Sequence, residues 1–164
     1  MTFDARAFRD TLGLFVTGVT IITTRSDSDE WVGITANSFN SVSLTPPLVL
    51  WSVGNQARSL QAFKTAQHFA VHILHQDQIA LSQHFAKSNP DKFKGLEVHE
   101  GRGGIPLFEN CAARLECRAH SQHQAGDHTL FLAEVIEFTS DKNARPLVYH
   151  GGQYAELSDT VETG

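Results

Sequence analysis

The chain has 164 residues, 41% hydrophobic and 19% charged, the balance of a globular protein long enough to bury a sizeable core. Its formal charge of −5, from 13 basic against 18 acidic residues, argues against nucleic acid or an anionic membrane as a partner. It leaves room for a small anionic ligand beside a local cation. No apolar run approaches the roughly 18 residues of a membrane span, and no basic-then-apolar leader opens the sequence.

Cys111 and Cys117 read as buried free thiols, so a cytoplasmic protein is expected. One domain over residues 1–164 is expected as well, with about 158–164 as a frayed tail.

In chain order, Phe8, Leu12 and Phe15 recur at helical spacing and predict an amphipathic helix over Ala5–Phe15, ended by Gly18. Val19–Thr24 is rich in β-branched residues and predicts a strand. The polar Ser26–Glu30 turn leads into a second strand from Trp31. Leu48–Val53 is nearly continuously apolar, the pattern of a strand covered on both faces. Leu60 and Phe63 share one face of a helix over Ala57–Ala66. A strand over His68–Leu74 and a helix over Gln78–Ala86 follow. Residues 87–110, with two prolines and four glycines, read as an irregular excursion.

Cys111, Ala113, Leu115, Cys117 and Ala119 then alternate with Arg114, Glu116, Arg118 and His120, which predicts a strand with one buried and one polar face. A second long strand over Thr129–Phe138 is apolar on both faces until Glu134 and Glu137, and a turn over Gln122–Asp127 joins the two. Leu147–Tyr149 adds an edge strand. Strands separated by short turns, with few and peripheral helices, imply a mainly β, antiparallel barrel rather than a doubly wound parallel sheet.

Several familiar chemistries lack their motifs. No G-x-G-x-x-G follows a strand and no phosphate loop of the G-x-x-x-x-G-K-[ST] type occurs. The cluster Gly101-Arg102-Gly103-Gly104 runs into Ile105-Pro106, so no helix starts there. There is no G-x-S-x-G elbow, and neither cysteine has a neighbour that would lower its pKa. Of the nine histidines, His68 and His72 share a strand face while His75 points away. His120, His123 and His128 straddle a turn beside Asp127. No H-E-x-x-H and no paired cysteines accompany them, so scattered histidines and no metal site are expected.

The informative run is Gly33–Leu50, where two β-rich stretches flank small hydroxyl and amide side chains, among them Thr35, Asn37 and Ser38. Small polar residues let backbone N–H groups approach a ligand, a hint of anion binding. Asn55-Gln56-Ala57-Arg58-Ser59 opens a predicted helix with backbone donors, a guanidinium and a hydroxyl. That set makes a phosphate cradle, or else Asn55 or Ser59 caps the helix and Arg58 is solvated. The residues alone leave both readings open.

Seven segments in order resemble the flavin reductase-like family. They are Phe15–Thr23, Gly33–Phe39, Val42-Ser43-Leu44 with Pro46-Pro47-Leu48, Phe85-Ala86 with Asp91-Lys92-Phe93, Gly126-Asp127-His128, Pro146–Tyr149 and Tyr154. The family comprises the small reductase components of two-component flavin monooxygenases. The resemblance implies a split β-barrel, a homodimer with flavin near its interface, oxidation of NADH or NADPH, and reduction of FMN or FAD. The reduced flavin then diffuses to an oxygenase partner.

It further implies flavin contacts from Thr35, Ala36, Asn37, Ser38, Phe39, Ser52 and Val53, and a phosphate site at Asn55, Arg58 and Ser59. Lys92 and Tyr154 would lie near the cofactor, and His128 on the nicotinamide side, with Asp127 orienting it or making the turn. Hydride passes from nicotinamide C4 to flavin N5, so the protein mainly stacks and orients two rings. Charge developing at flavin N1 and O2 would be met by a backbone N–H, Thr35, Asn37 or a cation. The lack of a basic cluster points to NADH. The alternatives are a split-barrel FMN carrier without nicotinamide turnover, or a flavoenzyme reducing another acceptor.

Overall fold

The computed structural model describes residues 2–163. A short helix α1 (Ala5–Leu12) precedes five strands: β1 (Thr17–Gly18), β2 (Thr20–Arg25), β3 (Trp31–Ala36), β4 (Asn40–Leu44) and β5 (Pro47–Gly54). Next come α2 (Leu60–Thr65), β6 (His68–Ile73), and a 3-10 turn at Gln76–Gln78 that runs into α3 (Ile79–Ala86). The excursion after α3 carries β7 (His99–Glu100), a 3-10 turn at Arg102–Gly104 and β8 (Pro106–Leu107). The long hairpin of β9 (Ala113–Ala125) and β10 (His128–Ser140) follows, then β11 (Val148–His150) and β12 (Gln153–Ala155).

Seven strands form one sheet in the order β3-β2-β6-β9-β10-β5-β4, every pairing antiparallel. The expected mainly β, antiparallel class is found. No ladder joins the two edge strands β3 and β4 among the described residues, yet residues 37–39 are all that separates them in sequence. The sheet wraps around one core. Ile22, Trp51, Phe69, Val71, Cys117, Phe131 and Ala133, from five different strands, pack together with Phe63 of α2. Trp51 lies 5.0 Å from Phe69, edge to face, and 5.9 Å from Phe131, stacked. Each such ring withdraws enough apolar surface from water to stabilise the fold by roughly 2–3 kcal/mol. A second cluster, with Ile21, Leu74, Phe85, Phe108 and Leu147, fills the space under α3 and the excursion.

Several elements differ from expectation for local reasons. The first helix ends at Leu12, because Gly13 closes it with its N–H donating to Arg9 O. Gly18 instead pairs in β1 with Val148. The apolar face Phe8, Leu12 and Phe15 packs on no core of this chain and stays exposed. β5 is not covered on both faces: Val49, Trp51 and Val53 point inward while their neighbours are half-exposed. The helix after β5 begins at Leu60 rather than Ala57. β4 and β12 were not expected as strands.

Cys111 precedes β9 rather than lying in it. On the polar face of β9, Glu116 is buried because the turn at Gly101–Arg102 covers it and the Arg102 N–H donates to its carboxylate at 3.1 Å. The turn between β9 and β10 is Gly126–Asp127 alone, with Gly126 at φ +60.

His72 is fully buried, with Nδ1 donating to Ile21 O at 3.0 Å and Nε2 accepting the Phe108 N–H at 3.1 Å. The bond accepted by Nε2 requires the neutral ring, and burial lowers its pKa from 6.5 to about 4, with Arg114 adding to the fall. The folded value lies below the unfolded one, so this stability is present above pH 6.5 and is lost as pH falls towards 4. Complete protonation costs on the order of 3 kcal/mol. Denaturant titrations at steps between pH 7 and 4 should show that decline in the native protein. The less stable His72→Gln variant should show a flatter one; equal slopes would remove His72 as the cause.

Candidate active site

A cleft of about 800 Å³ opens between β3, the end of β5 and the turn after α3, within the usual range for small-molecule sites. It forms where β4 leaves the sheet. In the β4–β5 ladder Asn40 faces Leu50; two residues further, the Ser38 hydroxyl replaces the missing backbone partner. Ser38 Oγ accepts the Ser52 N–H at 3.0 Å and donates to Ser52 O at 3.3 Å. Thr35, Ala36, Asn37 and Ser38 thus lie along one side of the cleft and Ser52, Val53 and Gly54 along the other.

Of the residues expected at the site, the six strand and corner positions Thr35, Ala36, Asn37, Ser38, Ser52 and Val53 line the cleft, together with Arg58, Ser59, Lys92 and His128. Three do not. Phe39 turns inward and packs on the main core. Asn55 is committed to the β9–β10 hairpin: its N–H donates to Asp127 O at 2.8 Å, its Nδ2 to Gly126 O, and its Oδ1 accepts Thr129 Oγ at 2.9 Å. Tyr154 sits behind α3, its hydroxyl 2.7 Å from that of the buried Ser82 and its ring against Tyr149. Thr35 lines the cleft, but its hydroxyl donates to Ser82 O at 2.6 Å, so what it offers a ligand is backbone and methyl.

The reading of Ser59 as a simple helix cap does not hold, since its hydroxyl makes no capping bond to α2. Arg58 is exposed and in no ion pair with a described residue. His128 begins β10 opposite Gly54. With Nδ1–H donating to the Asp127 carboxylate at 2.7 Å, Nε2 keeps its lone pair. A side chain at Gly54 would sit 3.8 Å from that nitrogen. Asp127 both completes the turn and orients the ring; the hydrogen bond from His128 holds its carboxyl below the usual range.

An aromatic wall was not legible as part of the site. Trp31, Phe85 and Phe93 line the cleft, with Phe93 5.1 Å from Phe85 and 5.7 Å from Trp31, both edge to face. Phe85 and Phe93 lie in segments that resemble the family, but neither they nor Trp31 carries a local pattern that marks it as lining a cleft. The described residues hold no group of three or more metal-ligating side chains.

The match to the Flavin reductase like domain covers residues 12–158. The chain belongs to the flavin reductase-like family. It is 41% identical over 155 residues to the FMN reductase (NADH) SmoA of Agrobacterium fabrum, covering 94% of this chain and 87% of that protein. The reductase subunit HsaB of a flavin-dependent monooxygenase from Mycobacterium tuberculosis is 39% identical over 163 residues, covering 98% and 86%. The solved structure of the Streptomyces globisporus NADH:FAD oxidoreductase SgcE6, in complex with NAD and FAD fragments, superposes with a TM-score of 0.90. Its sequence is 37% identical, with 99% of each chain covered.

The residues present fit the group this family implies. A slot walled by small side chains and aromatic rings suits a planar ring system, and Arg58 and Lys87 at its rim suit a phosphate. Gly33 sets how closely the aromatic wall approaches β3. A Cβ there would lie 2.8 Å from the Phe85 ring and 3.2 Å from Phe93. Gly33→Ala should lower stability by roughly 1–3 kcal/mol through overpacking and weaken flavin binding, as read by thermal melts and fluorescence titration with FMN. An unaltered melt would show the wall to be yielding.

Proposed function

We propose that the cleft binds FMN or FAD between the 35–38 corner and Ser52-Val53, with the phosphate at Arg58 and Ser59, and presents the nicotinamide of NADH or NADPH to His128. The chain is an NAD(P)H-dependent flavin reductase. The observation that carries the site assignment is that these separated segments meet in one cleft, with His128 Nε2 unpartnered at its edge. When bound, flavin and nicotinamide exchange a hydride, which no side chain here supplies. The protein's part is to hold two rings in contact and exclude water. Arg58 neutralises phosphate, Asn37 and the backbone of 35–38 face the ring, and His128 accepts a hydrogen bond from the carboxamide. Asp127, and behind it Asn55, fix the imidazole's direction.

This assignment makes the reduced flavin a product that diffuses to a monooxygenase component. Two free thiols, Cys111 and Cys117, suit a reducing cytoplasm. No helix among the described residues is long and apolar enough to cross a membrane. The exposed apolar side chains call for a second copy of this chain as cover: Phe15 is 80% exposed, and Leu44 on the edge strand β4 is 93% exposed.

Absorbance assays of NADH oxidation should show turnover that requires and saturates with added FMN or FAD. Absence of turnover with either nicotinamide would overturn the assignment. His128→Ala should raise the KM for NADH roughly tenfold, the worth of one hydrogen bond, with a smaller change in kcat. Unchanged kinetics would remove His128 from the site. Light scattering should give twice the chain mass, and Leu44→Glu should shift it towards the monomer. A native monomer would show that β4 is covered in some other way.

A further inference from the structure

The turn after α3 is fastened at one residue. Lys92 Nζ donates to Phe85 O at 2.9 Å and to Gly33 O at 3.1 Å, and stands 5.8 Å over the Phe85 ring. Phe85 lies in the last turn of α3, whose carbonyls have no partner within the helix. Gly33 belongs to the edge strand β3. One ammonium therefore ties a helix end to a sheet edge. The main chain of Lys92 is held too, because His84 Nε2 lies 2.6 Å from its carbonyl.

The next residue, Phe93, is packed among Phe85, Trp31 and Phe108. By contrast, Ala86–Asp91 is exposed, and the bonds found there among the described residues are local, from the Asp91 N–H to Asn89 Oδ1 and from the Lys94 N–H to Asp91 O at 3.2 Å. No carboxylate forms an ion pair with Lys92 among the described residues. Burial lowers its pKa, so the charge rests on the two carbonyl dipoles.

We propose that Lys92 is a positioning residue rather than a cofactor ligand: its ammonium clamps the 87–93 strap across Gly33 and Phe85, and the clamped strap is the wall that flavin binding in the cleft requires. Two of its three N–H groups are already donating to scaffold carbonyls. The strap contributes Lys87, Ser88, Asn89, Pro90 and Phe93 to the lining, and all five depend on where Lys92 and Phe93 are held. The inference rests on the flavin reading only for its second half.

Hydrogen exchange of the ligand-free protein and fluorescence titration with FMN separate the two roles. Lys92→Met should speed exchange of the 86–94 amides at least tenfold while the β9–β10 hairpin is unchanged, and should weaken FMN binding by a similar factor. Lys92→Arg, whose fork can still reach two carbonyls, should restore most of both. Weakened FMN binding with unchanged exchange in Lys92→Met would make the ammonium a direct ligand and overturn the proposal. Faster exchange with FMN affinity within twofold would overturn the strap's role in binding. Should Lys92→Met fail to fold, Lys92→Gln is read by the same two measurements, with the same outcomes deciding. Exchange is recorded without ligand, so it tests the clamp even if the native protein binds no FMN, a result that would instead sink the flavin assignment.

Discussion

The cleft depends on a hydroxyl replacing a strand. β5 must satisfy its backbone on both sides, and β10 does so along one side from Gly54 to Leu48. On the other side β4 ends at Asn40, opposite Leu50. The next backbone pair, at Ser52, would be orphaned at a cost of one to three kcal/mol per buried group. Ser38 Oγ meets both the N–H and the carbonyl of Ser52, so the chain can part from β5 without losing the ladder's energy. That parting opens room between β3 and β5. An alanine at 38 would leave those groups to water, and the corner would lose its register.

From that junction the site is assembled by residues that seldom touch the cleft themselves. Asn55 ties the end of β5 to the Gly126–Asp127 turn and so places His128. Ser82 holds Thr35 from behind and is itself bonded to Tyr154. The β1-β11-β12 sheet that carries Tyr154 also reaches the end of α1, where the Gly151 N–H donates to Gly13 O. Polar side chains at the site thus divide between facing a ligand and fixing the backbone that faces it. A hydroxyl bonded at 2.6 Å to a helix carbonyl has little left to offer a flavin.

That division explains what could be read from the residues. The corner Thr35–Ser38, which lines the cleft, stood out because small polar side chains between strands are unusual, whereas His128 was pointed to by the family resemblance alone. The roles of Thr35, Asn55 and Tyr154 were not legible, because their partners Ser82, Thr129 and Ser82 lie 47, 74 and 72 residues away. Glu116 looked solvent-facing by alternation and is buried by a loop that the pattern of β9 cannot announce. The amphipathic stripe of α1 was legible as a stripe, and in the folded chain its Phe8, Leu12 and Phe15 stay exposed. The fold class survived these local misreadings because β-branched runs and short turns each vote for it separately.

A net charge of −5 acts weakly on a phosphorylated ligand at a distance, since salt screens it beyond about 8–10 Å. Retention must come from short-range contacts. In the flavin reading these are backbone groups at the 35–38 corner, an aromatic wall set by Lys92, and Arg58 on a solvent-exposed turn. An exposed guanidinium contributes little per contact and exchanges freely with water and salt. A flavin held in this way is gripped by shape and only lightly by charge, which favours release. An enzyme whose product must leave to serve a second protein needs that balance, whereas a permanent flavoprotein would bury its phosphate site. With the phosphate at Arg58, as proposed, an exposed guanidinium suits flavin as a substrate that comes and goes.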